Sequence, residues 1–411
     1  MLFQWWVSPQ TARRAEASIL VAMVLAATAC GSDSTGPRSG VKPAVGVALA
    51  AGQQFACALT ADGKSYCWGD NVRGQLGDSS FLPSLVPAPT AGGHRFVAIA
   101  AGYFSVCALD GGGVAWCWGD DPSEPGVPLS YRSIPVAVSS PQPFTSITVG
   151  AKFGCGLSSD GTAFCWGINS QGQLGVGDTL GRQAATAVQT SVRFKSIVAD
   201  FFSTCGLTST GAAWCWGDNL FGELGTGDKV GSNTPRAVSG VPPLQQLSSG
   251  PIHECGLTTT SLRYCWGANL SGQLGDGGTS QQSAPELIPD ARSFSIVRSS
   301  RVNSTLSTTC GIDSTGDVYC WGYNSKGQLG TGAGVGQTCN LGTLTVCIYT
   351  PTKIAGIANA VAIDVGLEHI CALTSKPQIL CWGDGLHGEL GDGTGVPSAT
   401  PVQVTGNLPL P

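Results

Sequence analysis

An all-β chain, built as a closed array of seven copies of one unit, is predicted by three observations. Two cysteines stand ten residues apart seven times over, each time with Trp-Gly directly after the second. The pattern returns about every fifty residues, and in six of the seven copies a glycine-rich loop of the form Gly-Gln-Leu-Gly or Gly-Glu-Leu-Gly follows. A fixed period of this size marks one supersecondary unit being copied, with neighbouring copies burying each other's apolar faces. At 411 residues the chain is long enough for two ordinary domains, but even repetition points to a single array. Charged residues make up 11% of the chain, well below the roughly 25% of typical globular proteins. With 59 glycines, the chain is rich in turns and poor in solvated helix faces. The net charge of −5 comes without a basic cluster, so the electrostatic footprint of a nucleic-acid binder is missing.

The N-terminus comes first. Arg13 and Arg14 precede an apolar run from Ile19 to Ala27, too short to span a bilayer. It ends in Ala27-Thr28-Ala29-Cys30, and a polar stretch from Gly31 to Pro37 follows. The segment resembles a bacterial lipoprotein signal. Residues 1–29 are then expected to be removed, Cys30 to be lipidated, and residues 30–43 to form a flexible tether. The alternative is a plain cleaved signal peptide with an incidental cysteine.

Fourteen of the 17 cysteines fall into the seven repeat pairs. These are Cys57 with Cys67, Cys107 with Cys117, Cys155 with Cys165 and Cys205 with Cys215, then Cys255 with Cys265, Cys310 with Cys320 and Cys371 with Cys381. Cys339 and Cys347 form an eighth pair inside an insertion over residues 331–349, and only Cys30 is left over. An export signal with cysteines that exhaust themselves in pairs predicts disulfides in an oxidising compartment. Zinc is the competing reading, but a structural site needs about four ligands and each hairpin supplies two.

Within the first unit, Val45 to Ala50 reads as a small apolar strand and Ala51-Gly52 begins a turn. Phe55 to Leu59 is a second strand, Ala61-Asp62-Gly63 a three-residue hairpin turn, and Lys64 to Trp68 the returning strand. Centring the hairpin on Asp62 sets Cys57 opposite Cys67, with Cα atoms roughly 4.5–5.5 Å apart, which a disulfide accepts. Thr260-Ser261 and Lys376-Pro377 lack the turn glycine and are expected to be less regular. The loop signature Asn71 to Gly77 recurs at 169–175, 219–225, 269–275, 324–330 and 385–391, its leucine expected to be buried. A Pro-x-x-Val element, as in Pro235 to Val238, is expected to start the next strand. The second unit reads Asp120-Asp121-Pro122 in place of the loop signature and is expected to be locally degenerate.

Together these motifs resemble the regulator of chromosome condensation repeat family, over about residues 44–406. The resemblance implies a seven-bladed β-propeller of four-stranded antiparallel blades. The first unit begins without a Pro-x-x-Val element, and Pro401-Val402-Gln403-Val404 supplies one at the other end. The ring is therefore expected to be closed by the N- and C-terminal strands, removing open sheet edges, with residues 407–411 as a tail.

Candidate chemistry is sparse. His94, His253, His369 and His387 are scattered and lack ligand spacing; His253 and His369 share their repeat position with Phe55 and Phe153, which predicts packing. Asp78, Asp178, Asp228, Asp276 and Asp392 stand a blade apart and cannot gather the six to eight oxygens calcium takes, so they read as turn residues. No metal, cofactor or catalytic residue is expected. The repeat tryptophans, beginning with Trp68 and Trp118, invite comparison with the plant UV-B photoreceptor of this fold, but their place beside a cysteine on a strand reads as core. Guanine-nucleotide exchange, known from the family's founding members, matches no residue here.

A binding surface remains. The turns between first and second strands should ring the central channel on one face, and most are polar or small, such as Gln53-Gln54. Tyr103-Phe104 and Phe201-Phe202 are aromatic, and exposed aromatics are enriched where partners dock. The alternative is that the rings pack over neighbouring turns. The sixth unit's longer turn, residues 298–309, and the insertion are further places for recognition. The sequence thus reads as a monomeric, lipid-anchored, non-enzymatic scaffold at a bacterial envelope, taking a protein or a glycan partner. An envelope enzyme acting on glycan and a secreted inhibitor of the propeller type are the alternatives; converging acids on one face would favour the enzyme.

Overall fold

Phe55–Leu59 pairs antiparallel with Ser65–Gly69, Cys57 directly opposite Cys67, as the ten-residue spacing requires. In the computed structural model, which describes residues 47–121, 131–300, 306–332, 335–339, 345–406 and 408–410, the same register recurs at the other six repeat pairs. It sets Cys117 opposite Cys107, Cys165 opposite Cys155 and Cys215 opposite Cys205. Likewise Cys265 faces Cys255, Cys320 faces Cys310 and Cys381 faces Cys371. These seven pairs, and Cys339 with Cys347, are all joined as disulfides. In the repeat pairs the Cα atoms come closer than the expected 4.5–5.5 Å, at 4.0 Å for Cys57 and Cys67 and 4.1 Å for Cys107 and Cys117. The signal segment, Cys30 and the tether lie outside the described residues.

Each hairpin gains an inner and an outer strand. Blade 1 comprises Ala48–Ala51, Phe55–Leu59, Ser65–Gly69 and Ser84–Pro89, paired in chain order. Blade 2 begins at Phe96–Ala101, blade 3 at Ser146–Val149, blade 4 at Ser196–Ala199 and blade 5 at Leu244–Ser249. Blade 6 begins at Phe294–Ser299 and blade 7 at Ala360–Val365, giving seven separate antiparallel sheets. The chain is the all-β, seven-bladed propeller the resemblance implied. Six blades have four strands. The sixth has five, because Gln337–Thr338 from the insertion adds to the edge of Val346–Lys353, beside the disulfide between Cys339 and Cys347.

Alternation of strand direction assigns the connections to two faces. Turns between first and second strands lie with the long third-to-fourth-strand loops on one, the loop face. Hairpin turns and blade-to-blade connections occupy the other, the hairpin face. At the blade 1 turn, Thr60 donates its N–H to the Lys64 carbonyl at 2.8 Å, and Gly63 takes a φ of 83°. Blade 5 corrects the expectation of irregularity. Ser261 adopts a φ of 62°, and Thr258 N–H still donates to the Leu262 carbonyl at 2.9 Å. A second correction concerns Pro235 and Pro135, which sit inside the fourth strands Ser232–Ala237 and Tyr131–Ala137 instead of starting them. At the outer edge of a sheet the missing N–H has no neighbour to serve.

The core lies between blades, and both repeat signatures meet there. The seven repeat tryptophans are fully buried. Trp118 donates its indole N–H to the Gln75 carbonyl of the preceding blade's loop at 3.0 Å, and Trp216 to Gln173 at 2.9 Å. Trp266, Trp321 and Trp382 repeat this with Glu223, Gln273 and Gln328. The loop's final glycine makes room, since a Cβ on Gly225 would lie 2.7 Å from Trp266 Nε1. Asn71 latches the loop, its Oδ1 accepting the Leu76 N–H at 2.9 Å while its Nδ2 donates to the Leu82 carbonyl at 3.0 Å. Leu76 is fully buried, as expected. Blade 2 lacks this loop, and Trp166 Nε1 in blade 3 correspondingly has no acceptor among the described residues.

Blade 7 closes on blade 1. Trp68 donates to the Glu389 carbonyl at 2.9 Å, and Ala51 N–H to Asp364 Oδ2 at 2.8 Å. Val47 and Leu49 share one apolar cluster with Val402, Val404 and Leu408. The first and last strands do not pair to close the ring as expected: Ala48–Ala51 is the inner strand of blade 1, paired with Phe55–Leu59, and Ser398–Gln403 the outer strand of blade 7, paired with Ile379–Gly383, so the two blades meet as separate, complete sheets.

Candidate binding face

Tyr103-Phe104 and Phe201-Phe202 lie on the turns between the first and second strands of blades 2 and 4. The structure brings all four together. Tyr103 and Phe104 stand 4.3 Å apart between ring centroids, and Phe201 and Phe202 4.4 Å. Tyr103 then meets Phe201 edge to face at 5.5 Å and 88°, an arrangement aromatic quadrupoles favour. Blade 3, between them, carries Ala151 and Lys152 at the equivalent turn positions. Phe104 is buried, while Tyr103, Phe201 and Phe202 remain half-exposed. The rings thus pack on one another and still present an apolar surface.

Charge surrounds this cluster. The Arg73 guanidinium lies 3.7 Å over the Phe104 ring and pairs with Asp120 at 2.8 Å. Lys152 approaches the same carboxylate at 3.5 Å. Across the ring, Lys326 reaches Asp384 at 3.2 Å and Glu368 at 3.9 Å. In both places the third residue of one blade's loop meets the acid following Trp-Gly in the next blade. Neither network was found from the sequence, because the partners are separated by a whole repeat.

Three acids also converge at the junction of blades 4 and 5. Asp200, Glu223 and Glu254 are all buried, at 0%, 1% and 0% exposure. Ser249 Oγ donates to Asp200 Oδ2 at 2.8 Å and contacts Glu254 Oε1. Burial pushes the Asp200 carboxyl up to about 6 and that of Glu223 up to about 8, the latter helped by Asp218. Glu254 is raised well above the ordinary range by burial and then by Asp200. Their sequence signal is a departure from the repeat: Gly-Glu-Leu-Gly for Gly-Gln-Leu-Gly, and Asp200 where Gly52, Gly102, Gly150, Gly250 and Gly366 stand in other blades.

The scattered histidines and aspartates take structural places. His253 and His369 are buried in the positions of Phe55 and Phe153, and burial lowers them to about 3 and about 4. Asp78 accepts hydrogen bonds from Asn71 Nδ2 and Ser80 N–H, and Asp228 pairs with Arg236 at 2.7 Å. Among the described residues no group of three or more His, Cys, Asp or Glu has the geometry of a metal site. The axial channel holds a cavity of 290 Å³ lined by Leu49, Ile99, Ile147, Ile197 and Ile363, with Arg298 and Asp364.

Comparison with known proteins places this architecture. The model of the RCC1-like domain matches residues 25–340, and that of the regulator of chromosome condensation (RCC1) repeat matches residues 315–373. The ultraviolet-B receptor UVR8 of Arabidopsis thaliana is 30% identical over 88 residues, 21% of this chain and 18% of that protein. The human E3 ubiquitin-protein ligase HERC2 is 32% identical over 127 residues, 31% of this chain and 2% of that protein. The matched segments thus cover less than a fifth of these curated relatives. Among solved structures, Prp20p of Saccharomyces cerevisiae, studied with its binding to Gsp1p and histones, superposes with a TM-score of 0.72 at 18% identity. That match covers 86% of this chain and 87% of the other. Yeast RCC1 (Prp20) bound to Kap60 gives 0.72 at 17%, covering 85% of each chain, and human WBSCR16 gives 0.70 at 20%, covering 84% and 94%. At these identities the likeness is one of fold.

Proposed function

The chain belongs to the RCC1-like domain family, and from that premise we propose that it is a non-enzymatic scaffold whose loop face takes a protein partner. The observation that carries this reading is the aromatic cluster, in which Tyr103, Phe201 and Phe202 stay partly exposed around a buried Phe104, beside Arg73 and Lys152. Aromatic side chains ringed by charge are the common centre of protein interfaces. Solved relatives named for a complex with Kap60, and for binding Gsp1p and histones, support a protein-binding role in general. Those partners belong to those proteins. The converging acids Asp200, Glu223 and Glu254 are sealed from solvent, which speaks for a structural use ahead of turnover on a glycan.

We further propose export to a bacterial envelope and lipid anchorage at Cys30. Eight disulfides suit an oxidising compartment, and Cys30 is the cysteine left outside them. The first described strand, Ala48–Ala51, starts on the hairpin face, opposite the aromatic cluster.

The test is capture from envelope extracts by immobilised mature protein, read by mass spectrometry beside a Tyr103→Ser, Phe201→Ser variant. Partners held by the parent and lost by the variant are expected. Identical capture by both, or turnover on a glycan panel, overturns the reading. Mass spectrometry of the N-terminal peptide reads the anchor, and Cys30→Ser should move the protein to the soluble fraction.

A further inference from the structure

The seven blades serve as one another's controls, and the junction of blades 4 and 5 departs from the pattern at three buried positions that act on one another. Where five blades carry glycine at the end of the first strand, blade 4 carries Asp200. In blade 1 a Cβ on Gly52 would lie 2.0 Å from the Phe55 ring, so an acid there requires a smaller partner. Blade 4 has Ser203 in place of the ring, and the Asp200 carboxylate occupies the vacated space. Glu254 stands where other blades have Ala56, Val106, Gly154, Thr204, Thr309 and Ile370. Glu223 replaces the loop glutamine of blades 1, 3, 5 and 6. Blade 7 also has the loop acid, Glu389, but meets Ala56 of blade 1 and carries Gly366, so no trio forms there.

This trio holds the turn that carries half of the aromatic cluster. Asp200 Oδ1 accepts the backbone N–H of Phe202 at 3.0 Å and of Ser203 at 2.7 Å. Its Oδ2 accepts the hydroxyls of Ser203 at 2.6 Å and of Ser249, from blade 5, at 2.8 Å. Ser249 in turn contacts Glu254, whose carboxyl is held above the ordinary range by burial and then by the charge of Asp200. From the blade 4 loop, Glu223 Oε2 accepts the Phe221 N–H at 2.8 Å, and Asp218 is the further acid of that loop acting on it. None of the ion pairs among the described residues brings a lysine, arginine or histidine to any of the three acids. Three carboxyl groups sealed together without a cation cannot all be ionised, because each added charge meets the others through a medium of low dielectric. Protons shared among them are therefore part of the structure.

We propose that Asp200, Glu223 and Glu254 form a proton-operated latch that fixes the Phe201-Phe202 turn while protons are held between the carboxyls and frees it when they are lost. The elevated positions of Glu223 and Glu254 agree with protons being retained at neutrality. Asp200 is the member that keeps its charge longest toward acid and spends it on the two turn amides. Above about pH 8 a second carboxylate forms beside it, and repulsion then acts on the residue whose acceptors hold Phe202. The consequence for recognition, weaker binding at alkaline pH, rests on the reading of the aromatic cluster as the binding face; the latch itself does not.

Hydrogen exchange of the full chain, followed by mass spectrometry from pH 6 to 9.5 and corrected for the intrinsic pH dependence of exchange, tests the latch without any partner. The segment 199–205 is compared with 101–107, its counterpart in blade 2, and with the same segment in Glu254→Gln and in Glu223→Gln. In the parent, exchange at 199–205 relative to 101–107 is expected to rise at least tenfold between pH 7 and 9.5, to stay within twofold in Glu223→Gln, where that second carboxylate cannot form, and to keep the rise in Glu254→Gln, which retains Glu223. A flat ratio in the parent overturns the latch whatever the variants do, and so does an equal rise in Glu223→Gln. Loss of partner capture with an intact exchange profile would instead count against the binding face alone.

Discussion

Replacing Glu223 by glutamine is expected to stabilise the protein, and only above the pH at which a free glutamate ionises. The loop glutamines of other blades show that the amide fits: Gln75 and Gln173 accept the N–H two residues earlier through Oε1 at 2.9 Å, as Glu223 does through Oε2 at 2.8 Å. The parent's carboxyl titrates at about 8 when folded against 4.5 as its ordinary value, because burial disfavours the anion. A raised folded-state value means stability that is complete below about pH 4.5 and is lost as pH rises toward about 8. At ~1.4 kcal/mol per pH unit this amounts to on the order of 5 kcal/mol across the interval. With roughly 2 cal/mol/K of unfolding entropy per residue over a ring of this length, that is a shift of roughly 7 °C in melting temperature. Thermal unfolding by tryptophan fluorescence, without reductant and from pH 4 to 9, reads it directly. The two curves should coincide near pH 4 and separate steadily above pH 5. Parallel curves, or a variant less stable at pH 8.5, would refute the reasoning.

Three other outcomes are expected. Trp216→Phe should cost about 1 kcal/mol more than Trp166→Phe in equilibrium unfolding, because Trp216 Nε1 bonds the Gln173 carbonyl at 2.9 Å while Trp166 Nε1 has no acceptor among the described residues; equal losses would count against the indole bond. Asp364→Ala should lose about 1–3 kcal/mol by leaving the Ala51 N–H unpaired where the ring closes, and an unchanged denaturation midpoint would show that water serves as well. Ser261→Gly should gain up to about 1 kcal/mol by relieving a left-handed residue, checked by the same midpoint.

What could be read from the sequence was what the repeat makes local. Cys57 opposite Cys67 needs only a ten-residue hairpin, and the buried Leu76 only its own loop. The choice of partner across blades was beyond reach, since Trp118 and Gln75, or Arg73 and Asp120, are brought together by the blade-to-blade rotation. The aromatic pairs were recognised one by one, but the meeting of Tyr103 with Phe201 depends on the small turn of an intervening blade. Ser261 defied its residue type because the two strands on either side of the turn dictate its backbone. The fifth strand of blade 6 escaped notice because Gln337–Thr338 is only two residues long.

The six indole-to-carbonyl bonds among the described residues all run the same way round, each donor tryptophan plugging into a socket built by the blade before it, and Trp68 plugging into the last. Outside the junction of blades 2 and 3, a single blade therefore carries one plug and one socket that it cannot join to each other. The linear order of the gene leaves no mark on such a cycle. Linking the start of the first described strand to the end of the last, both on the hairpin face, and cutting the chain at any other blade-to-blade connection should give a circular permutant with the same six interlocks.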